Sequence, residues 1–186
     1  MVDDQQLIES ALAGNSAAFG DLVRKYQDRL YNTMVHVTGS AEDAYDVVQD
    51  AFVKAFVKLE SFQRSSAFYT WLYRIAFNTA ISRQRRRRPT QSIDRGQDCG
   101  DQPIDPGAAP GDRLERDELA GQVRAALETL SDEHRTVLVL RDIDGCDYEA
   151  MAEILEIPLG TVRSRLHRAR LQLRDQLKSV LQTDST

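Results

Sequence analysis

Residues 89 to 114 read PTQSIDRGQDCGDQPIDPGAAPGDRL. These 26 residues hold four of the chain's five prolines and four of its ten glycines, and no apolar spacing that a helix or strand could use. Proline removes backbone donors, glycine loses the most freedom on ordering, and the few apolar side chains cannot offset that cost. The segment is expected to be a flexible linker. It divides the 186 residues into two blocks at 3–88 and 115–182, each of which must find its own core.

Both blocks carry the helical period. In DDQQLIESALAG, Leu7, Ile8, Ala11 and Leu12 share one face, and Gly14 stops the run. Asn15 is placed to cap the next helix, with Phe19, Leu22, Val23, Tyr26, Leu30 and Val37 at helical spacing and Gly39 as its end. Ser40 opens a third, whose stripe is Ala44, Val47, Val48, Ala51, Phe52, Ala55 and Leu59. Ser65 or Ser66 is expected to cap a fourth. Beyond the linker, LERDELAGQVRAALETL is amphipathic, and SDEHRTVLVLRDIDG runs from a Ser cap to Gly145. DYEAMAEILEI follows with Asp147 as cap. IPLG then supplies a turn, and Thr161 is expected to cap a final long helix. No strand alternation of useful length occurs. The expected fold class is all-α, two small helical domains with a helix-turn-helix at about 148–170.

Two stretches carry an unusual load of chemistry. Between Phe68 and Phe77 lie five of the chain's 13 aromatic residues, and RQRRRR, residues 83–88, follows. Aromatic faces stack on unpaired bases and arginines hold phosphates, which is what a single-strand grip needs. Trp71, Leu72, Ile75 and Ala76 at helical spacing equally suit a core; Trp71 and Phe77 are expected to be buried. RQRRRR could also bind nucleic acid unspecifically. On the final helix, Val162, Leu166, Ala169 and Leu173 form one stripe, while Arg163, Arg165, Arg168, Arg170 and Arg174 take other faces. No acid occurs between Gly160 and Arg174. Solvated helices usually mix signs, so this bias points to the DNA major groove, with an acidic protein as the alternative partner.

Composition sets the outer limits. The net charge of −5 argues against a generic nucleic-acid binder, but 20 of the 24 basic residues are arginine, the side chain suited to phosphates and guanine edges. No apolar run approaches the about 20 residues of a membrane span. The N-terminus MVDDQQLIES lacks a signal-peptide pattern, so a cytoplasmic location without membrane insertion is expected. Cys99 and Cys146 lack metal-ligand spacing, and no P-loop, GxSxG or HExxH motif occurs; neither a cofactor nor an enzymatic activity is expected.

Taken together, DVVQDAF, AFYTWLYRIAFNTA and GTVRSRLHRAR resemble the extracytoplasmic-function sigma factors of the sigma-70 family, in their RpoE-like branch. The resemblance covers nearly the whole chain outside the linker. It implies a first domain that binds core RNA polymerase and opens the minus-ten element, and a second that reads the minus-35 duplex. It assigns polymerase binding to Asp46, Val47, Val48, Gln49, Asp50 and Phe52. It assigns the single-stranded minus-ten element to Phe62, Arg64, Phe68, Tyr69, Trp71, Tyr73, Arg74, Asn78, Arg83, Arg85 and Arg86. Minus-35 contacts fall on Thr161, Val162, Arg163, Ser164, Arg165, His167 and Arg168. An anti-sigma factor is a further implied partner. Where related members often have Gly and an acid after the loop phenylalanine, this chain has Gln63, Arg64 and Ser65, which leaves the preferred minus-ten base open. A stand-alone helix-turn-helix regulator is the competing reading; it would leave the aromatic helix and the acidic face around DVVQDAF without a task. Acids at the N-terminus and in the linker, among the latter Asp94, Asp98, Asp101, Asp105 and Asp112, are expected to shield the arginine surfaces when polymerase is absent.

Overall fold

The computed structural model describes residues 3–64, 66–87 and 121–183, with the side chains of 87 and of 179–183 left aside. The linker, with its acids and Cys99, lies outside the described residues, as do Ser65 and Arg88.

The described residues are helical throughout, with no strand among them. The first block comprises α1 (Asp4–Leu12), α2 (Ser16–Thr38), α3 (Ala41–Val57), a single 3-10 turn (Leu59–Ser61) and α4 (Phe68–Arg87). The second comprises α5 (121–128), α6 (Asp132–Leu138), a π-helical turn (Val139–Ile143), α7 (Tyr148–Leu155) and α8 (Leu159–Thr183). Several boundaries follow the caps read from sequence. The Asn15 side chain accepts from the Ala17 N–H, Ser40 from Asp43, Ser131 from His134 and Asp147 from Ala150. Each satisfies an N–H that the first helical turn leaves orphaned. Gly39 closes α2 at φ 71°, a left-handed conformation that costs glycine little.

Two expected caps are corrected. The first backbone bond of α4 runs from the Trp71 N–H to the Ala67 carbonyl, so Ala67 takes the cap place rather than Ser65 or Ser66. Helix α8 starts at Leu159, because the Pro158 carbonyl accepts from both Thr161 and Val162 N–H. Thr161 therefore lies inside the first turn. The π-helical turn, in which the Asp144 N–H reaches the Val139 carbonyl, gave no sequence signal.

In the first block α2 packs on α3 and α3 on α4, burying Leu22, Leu30, Met34, Ala44, Val47, Leu72 and Phe77. In the second, α6 and α7 pack on α8 through Val137, Leu140, Met151, Ile154, Val162 and Leu166. The two blocks also pack on each other. Helix α4 lies against α7, and α2 lies against α6 and the π turn. A buried arginine, Arg135, helps to join them. It donates to the carbonyls of Leu127, Glu128 and Leu130 at the end of α5, and also to the Val37 carbonyl of α2 at 3.4 Å.

Candidate nucleic-acid and polymerase interfaces

Three surfaces collect the residues singled out by sequence. The first is a cavity of about 570 Å³ at the start of α4, walled by Phe62, Gln63, Trp71, Arg74, Asn78 and the two lysines Lys54 and Lys58. The aromatic cluster behind it is a packed set. Phe62 meets Phe68 edge-on at 5.8 Å between centroids and Trp71 at 5.2 Å. Phe68 and Trp71 are buried, and Phe62 is half-buried. Edge-on and tilted rings suit the quadrupole of each face, so the trio holds the cavity wall stiff. Lys54 Nζ donates to the Thr79 hydroxyl at 2.8 Å, which fixes one cation at the rim. Sequence reading missed Lys54 and Lys58, because their helix face is set by the packing of α3 on α4.

Of the residues assigned to the minus-ten element, Phe62, Trp71, Arg74 and Asn78 wall this cavity, Phe68 packs behind it, and the others are dispersed. Asn78, Arg85 and Arg86 are exposed and Arg74 is half-buried. Arg64 adopts φ 55° in the loop and its guanidinium meets Glu9 of α1 at 2.9 Å. Tyr69 lies beneath the Arg29 guanidinium, 5.6 Å from its centroid. Tyr73 has no exposed surface at all; burial raises its hydroxyl pKa, and that hydroxyl is 3.3 Å from Thr33. Arg83 turns away from the cavity. It donates to Asp46 at 2.8 Å and to Asp50 at 3.0 Å, and the hydrogen bond to Asp46 leads in holding its pKa above the ordinary arginine value.

The second surface is the outer face of α3. Of the six residues assigned to polymerase, Asp46, Gln49 and Asp50 reach this surface, while Val47, Val48 and Phe52 point into the core. The face is completed by four exposed apolar residues: Tyr45, Val53, Phe56 and Val57. Tyr45, Val53 and Phe56 lie eight and three positions apart, so they share the face that carries the acids, and Val57 extends it. Exposed apolar stripes of this kind mark partner surfaces. The spacing was legible, but a stripe on the opposite side of an amphipathic helix is easily read as more core.

The third surface is the helix-turn-helix. Glu156 ends α7 at φ 54°, and Ile157 and Pro158 lead into α8. Val162, Leu166 and Ala169 form the buried stripe read from sequence, so Val162 supports the helix from within. Arg163, Ser164, His167 and Arg168 are exposed, and Thr161 and Arg165 are half-buried. Acids absent from α8 itself come from neighbouring elements. Glu133 of α6 pairs with Arg165 at 3.0 Å, and Asp142 of the π turn holds Arg170 through two hydrogen bonds. The hydrogen bond to Asp142 leads in raising the Arg170 pKa. The Arg163 guanidinium lies over the Tyr148 ring at 5.9 Å.

Both helical blocks match known families. Residues 22–90 match the family model for sigma-70 region 2, and residues 120–173 match that for sigma-70 region 4. The chain is 40% identical to the RNA polymerase sigma-H factor of Pseudomonas aeruginosa over 184 residues, covering 96% of this chain and 95% of the relative. It is 37% identical to the ECF RNA polymerase sigma-E factor of Escherichia coli K12, covering 96% of each. Among solved structures it is similar to the sigma factor RpoE of Bartonella quintana in complex with the anti-sigma factor NepR, at 26% identity and a TM-score of 0.70, covering 86% of this chain and 96% of that one.

The fold and the surfaces thus define an RNA polymerase specificity subunit of the sigma-70 type, a transcription-initiation factor and not an enzyme. The chain belongs to the extracytoplasmic-function sigma factors and is sigma-E-like. The stand-alone regulator reading is set aside, since the likeness extends through α1–α4 as well as the helix-turn-helix. No helix among the described residues is long and apolar enough to cross a membrane.

Proposed function

We propose that residues 3–88 dock on core polymerase and capture the opened minus-ten strand, while residues 115–182 read the minus-35 duplex. The observation that carries this reading is the cavity beside Phe62 and Trp71. Its volume falls in the about 300–1,000 Å³ range of small-ligand sites. One wall is aromatic and the rim is cationic, the two features an extruded nucleotide needs. Taking a base out of the stack costs a few kcal/mol. Stacking on an aromatic face returns roughly 1–3 kcal/mol per base, and phosphate neutralisation adds a salt-dependent gain. Lys54, Lys58 and Arg74 supply that neutralisation here. Arg85 and Arg86 extend it along the strand.

On α3, the exposed stripe of Tyr45, Val53 and Phe56, bordered by Asp46 and Asp50, suits a basic, partly apolar helical surface of the polymerase. On α8, the exposed Arg163, Ser164, His167 and Arg168 enter the major groove. A protein that serves the transcription machinery works in the cytoplasm. An anti-sigma factor is the natural regulator, as with NepR on the Bartonella relative. Run-off transcription with core polymerase across a promoter library tests the whole reading. The expected result is RNA starting at a defined site, set by both elements, with unpaired thymines protected in the minus-ten strand. Failure to start RNA at any defined site refutes it.

A further inference from the structure

One side chain of the loop between the 3-10 turn and α4 faces away from the cavity that the loop helps to build. Phe62, Gln63 and Ser66 line the cavity, and Arg64 does not. The Arg64 guanidinium reaches α1 instead, donating through Nη1 to the Glu9 carboxylate at 2.9 Å across 55 residues. Its backbone holds φ 55°, the left-handed region, which a residue with a Cβ enters only at a cost. Of the described non-glycine residues only Glu156, at the end of α7, shares a positive φ. The turn at Arg64 sends its side chain to α1 and leaves Gln63 exposed on the cavity wall. The Gln63 amide offers a donor and an acceptor side by side, and it has no partner among the described residues.

Glu9 is a fixed anion. Leu7 and Ile8 bury α1 against α2. Asp4 of α1 accepts from Lys25 Nζ at 2.5 Å and from the Tyr26 hydroxyl. Gln5 donates to Glu9 Oε1 at 3.3 Å, which steadies the carboxylate. The Tyr26 ring in turn meets Phe68 at 5.6 Å. Helix α1 thus ties down the loop through Glu9 and the aromatic cluster through Asp4 and Tyr26. We propose that Glu9 positions the loop through Arg64, and that this brace aims Gln63 at the extruded base and so sets which base the cavity accepts. This rests on the cavity assignment above and supplies the base choice that assignment lacks. Stacking on an aromatic face tolerates every base, whereas an amide must match the donors and acceptors along a base edge. Glu9 and Arg64 are positioning residues, since neither lines the cavity.

The test is run-off transcription by core polymerase and the full chain on a promoter library randomised across the minus-ten element. The readout is the ratio of transcripts from the best and the next-best base at each position. Gln63→Ala is expected to abolish the preference at one position and to leave the others standing. Glu9→Ala and, separately, Arg64→Gly are expected to lower that same ratio by up to about fivefold, the scale of an exposed ion pair, at unchanged helicity. Glycine at position 64 keeps the left-handed turn accessible, so its effect reports the lost guanidinium. Arg64→Glu is expected to lower the ratio as well, and adding Glu9→Arg to it is expected to restore the ratio, because the pair then stands reversed. A Glu9→Ala ratio equal to the parent's, with loss confined to the Arg64 variants, overturns the brace and makes Arg64 a direct phosphate contact. A reversed pair that restores nothing also overturns it. Unchanged preference at every position in Gln63→Ala overturns the base-reading role. In all of these the parent chain still starts RNA at defined sites, whereas failure of the cavity assignment would leave the parent itself without any minus-ten base preference.

Discussion

Replacing Phe62 by Ala should separate two tasks that the aromatic cluster combines. Phe62 is half-buried, and its ring contacts are with Phe68 and Trp71. Aromatic pairs contribute about 0.5–1.5 kcal/mol each beyond area burial, so losing two costs the fold about 1–3 kcal/mol. If the ring also stacks on an extruded base, binding of the opened strand loses a further 1–3 kcal/mol or so, about 5–150-fold in the equilibrium. Phe68→Ala is the contrast. That ring is 3% exposed, and its removal should cost about 3–5 kcal/mol of stability, in line with other buried aromatics. Urea unfolding gives the first quantity. Permanganate reactivity of minus-ten thymines in the polymerase complex, at saturating protein and below the unfolding transition, gives the second. The expected result is a modest stability loss for Phe62→Ala with a disproportionate loss of strand opening. A variant that loses stability yet opens the promoter as well as the parent chain would refute the stacking role and leave Phe62 a packing residue only.

Other outcomes follow from the same geometry. Leu166→Ala, at a side chain 2% exposed beneath the recognition helix, should destabilise the chain by about 2–5 kcal/mol in urea unfolding. Asp50→Arg should weaken core polymerase binding in a competition assay while leaving helicity intact, since it reverses a charge on the outer face of α3 and sets it beside Arg83. Glu133→Gln should release Arg165 and strengthen minus-35 duplex binding by no more than about fivefold, the scale of a surface ion pair, and Arg165→Ala should abolish that gain. His36 has its pKa held below the ordinary 6.5, first by burial and then by the nearby Arg124. The unfolded chain therefore takes up that proton before the folded one does. The stability His36 contributes is present above about pH 6.5 and is lost as pH falls through the folded value. Urea midpoints should fall between pH 7.5 and 5.5, and His36→Gln should flatten that part of the profile.

Much of this could be read before any coordinates. Caps at Asn15, Ser40, Ser131 and Asp147 are local events, in which a side-chain oxygen meets an N–H two or three residues on. The buried stripe of Val162, Leu166 and Ala169 follows from 3.6-residue periodicity alone. Harder to read was which side of an aromatic-rich helix faces inward. From Phe68 to Phe77 α4 is apolar or aromatic at every position but Thr70 and Arg74, so periodicity did not separate the buried Tyr73 from the half-buried Tyr69. On α3 the motif residues themselves divide, with Val47, Val48 and Phe52 supporting the helix and Asp46, Gln49 and Asp50 facing outward. The starts of α4 and α8 were misplaced because backbone carbonyls at Ala67 and Pro158 took the place expected of hydroxyl side chains.

By itself the sequence determined the helical class, the break into two blocks, the helix-turn-helix and the family, because each rests on signals a few residues long or on motifs in fixed order. Only the tertiary structure decided which charges meet. Arg83 finds Asp50 across 33 residues and Arg29 finds Asp144 across 115. Such pairs depend on how helices dock, and docking is set by the summed shape of many buried side chains, which no short window of sequence contains.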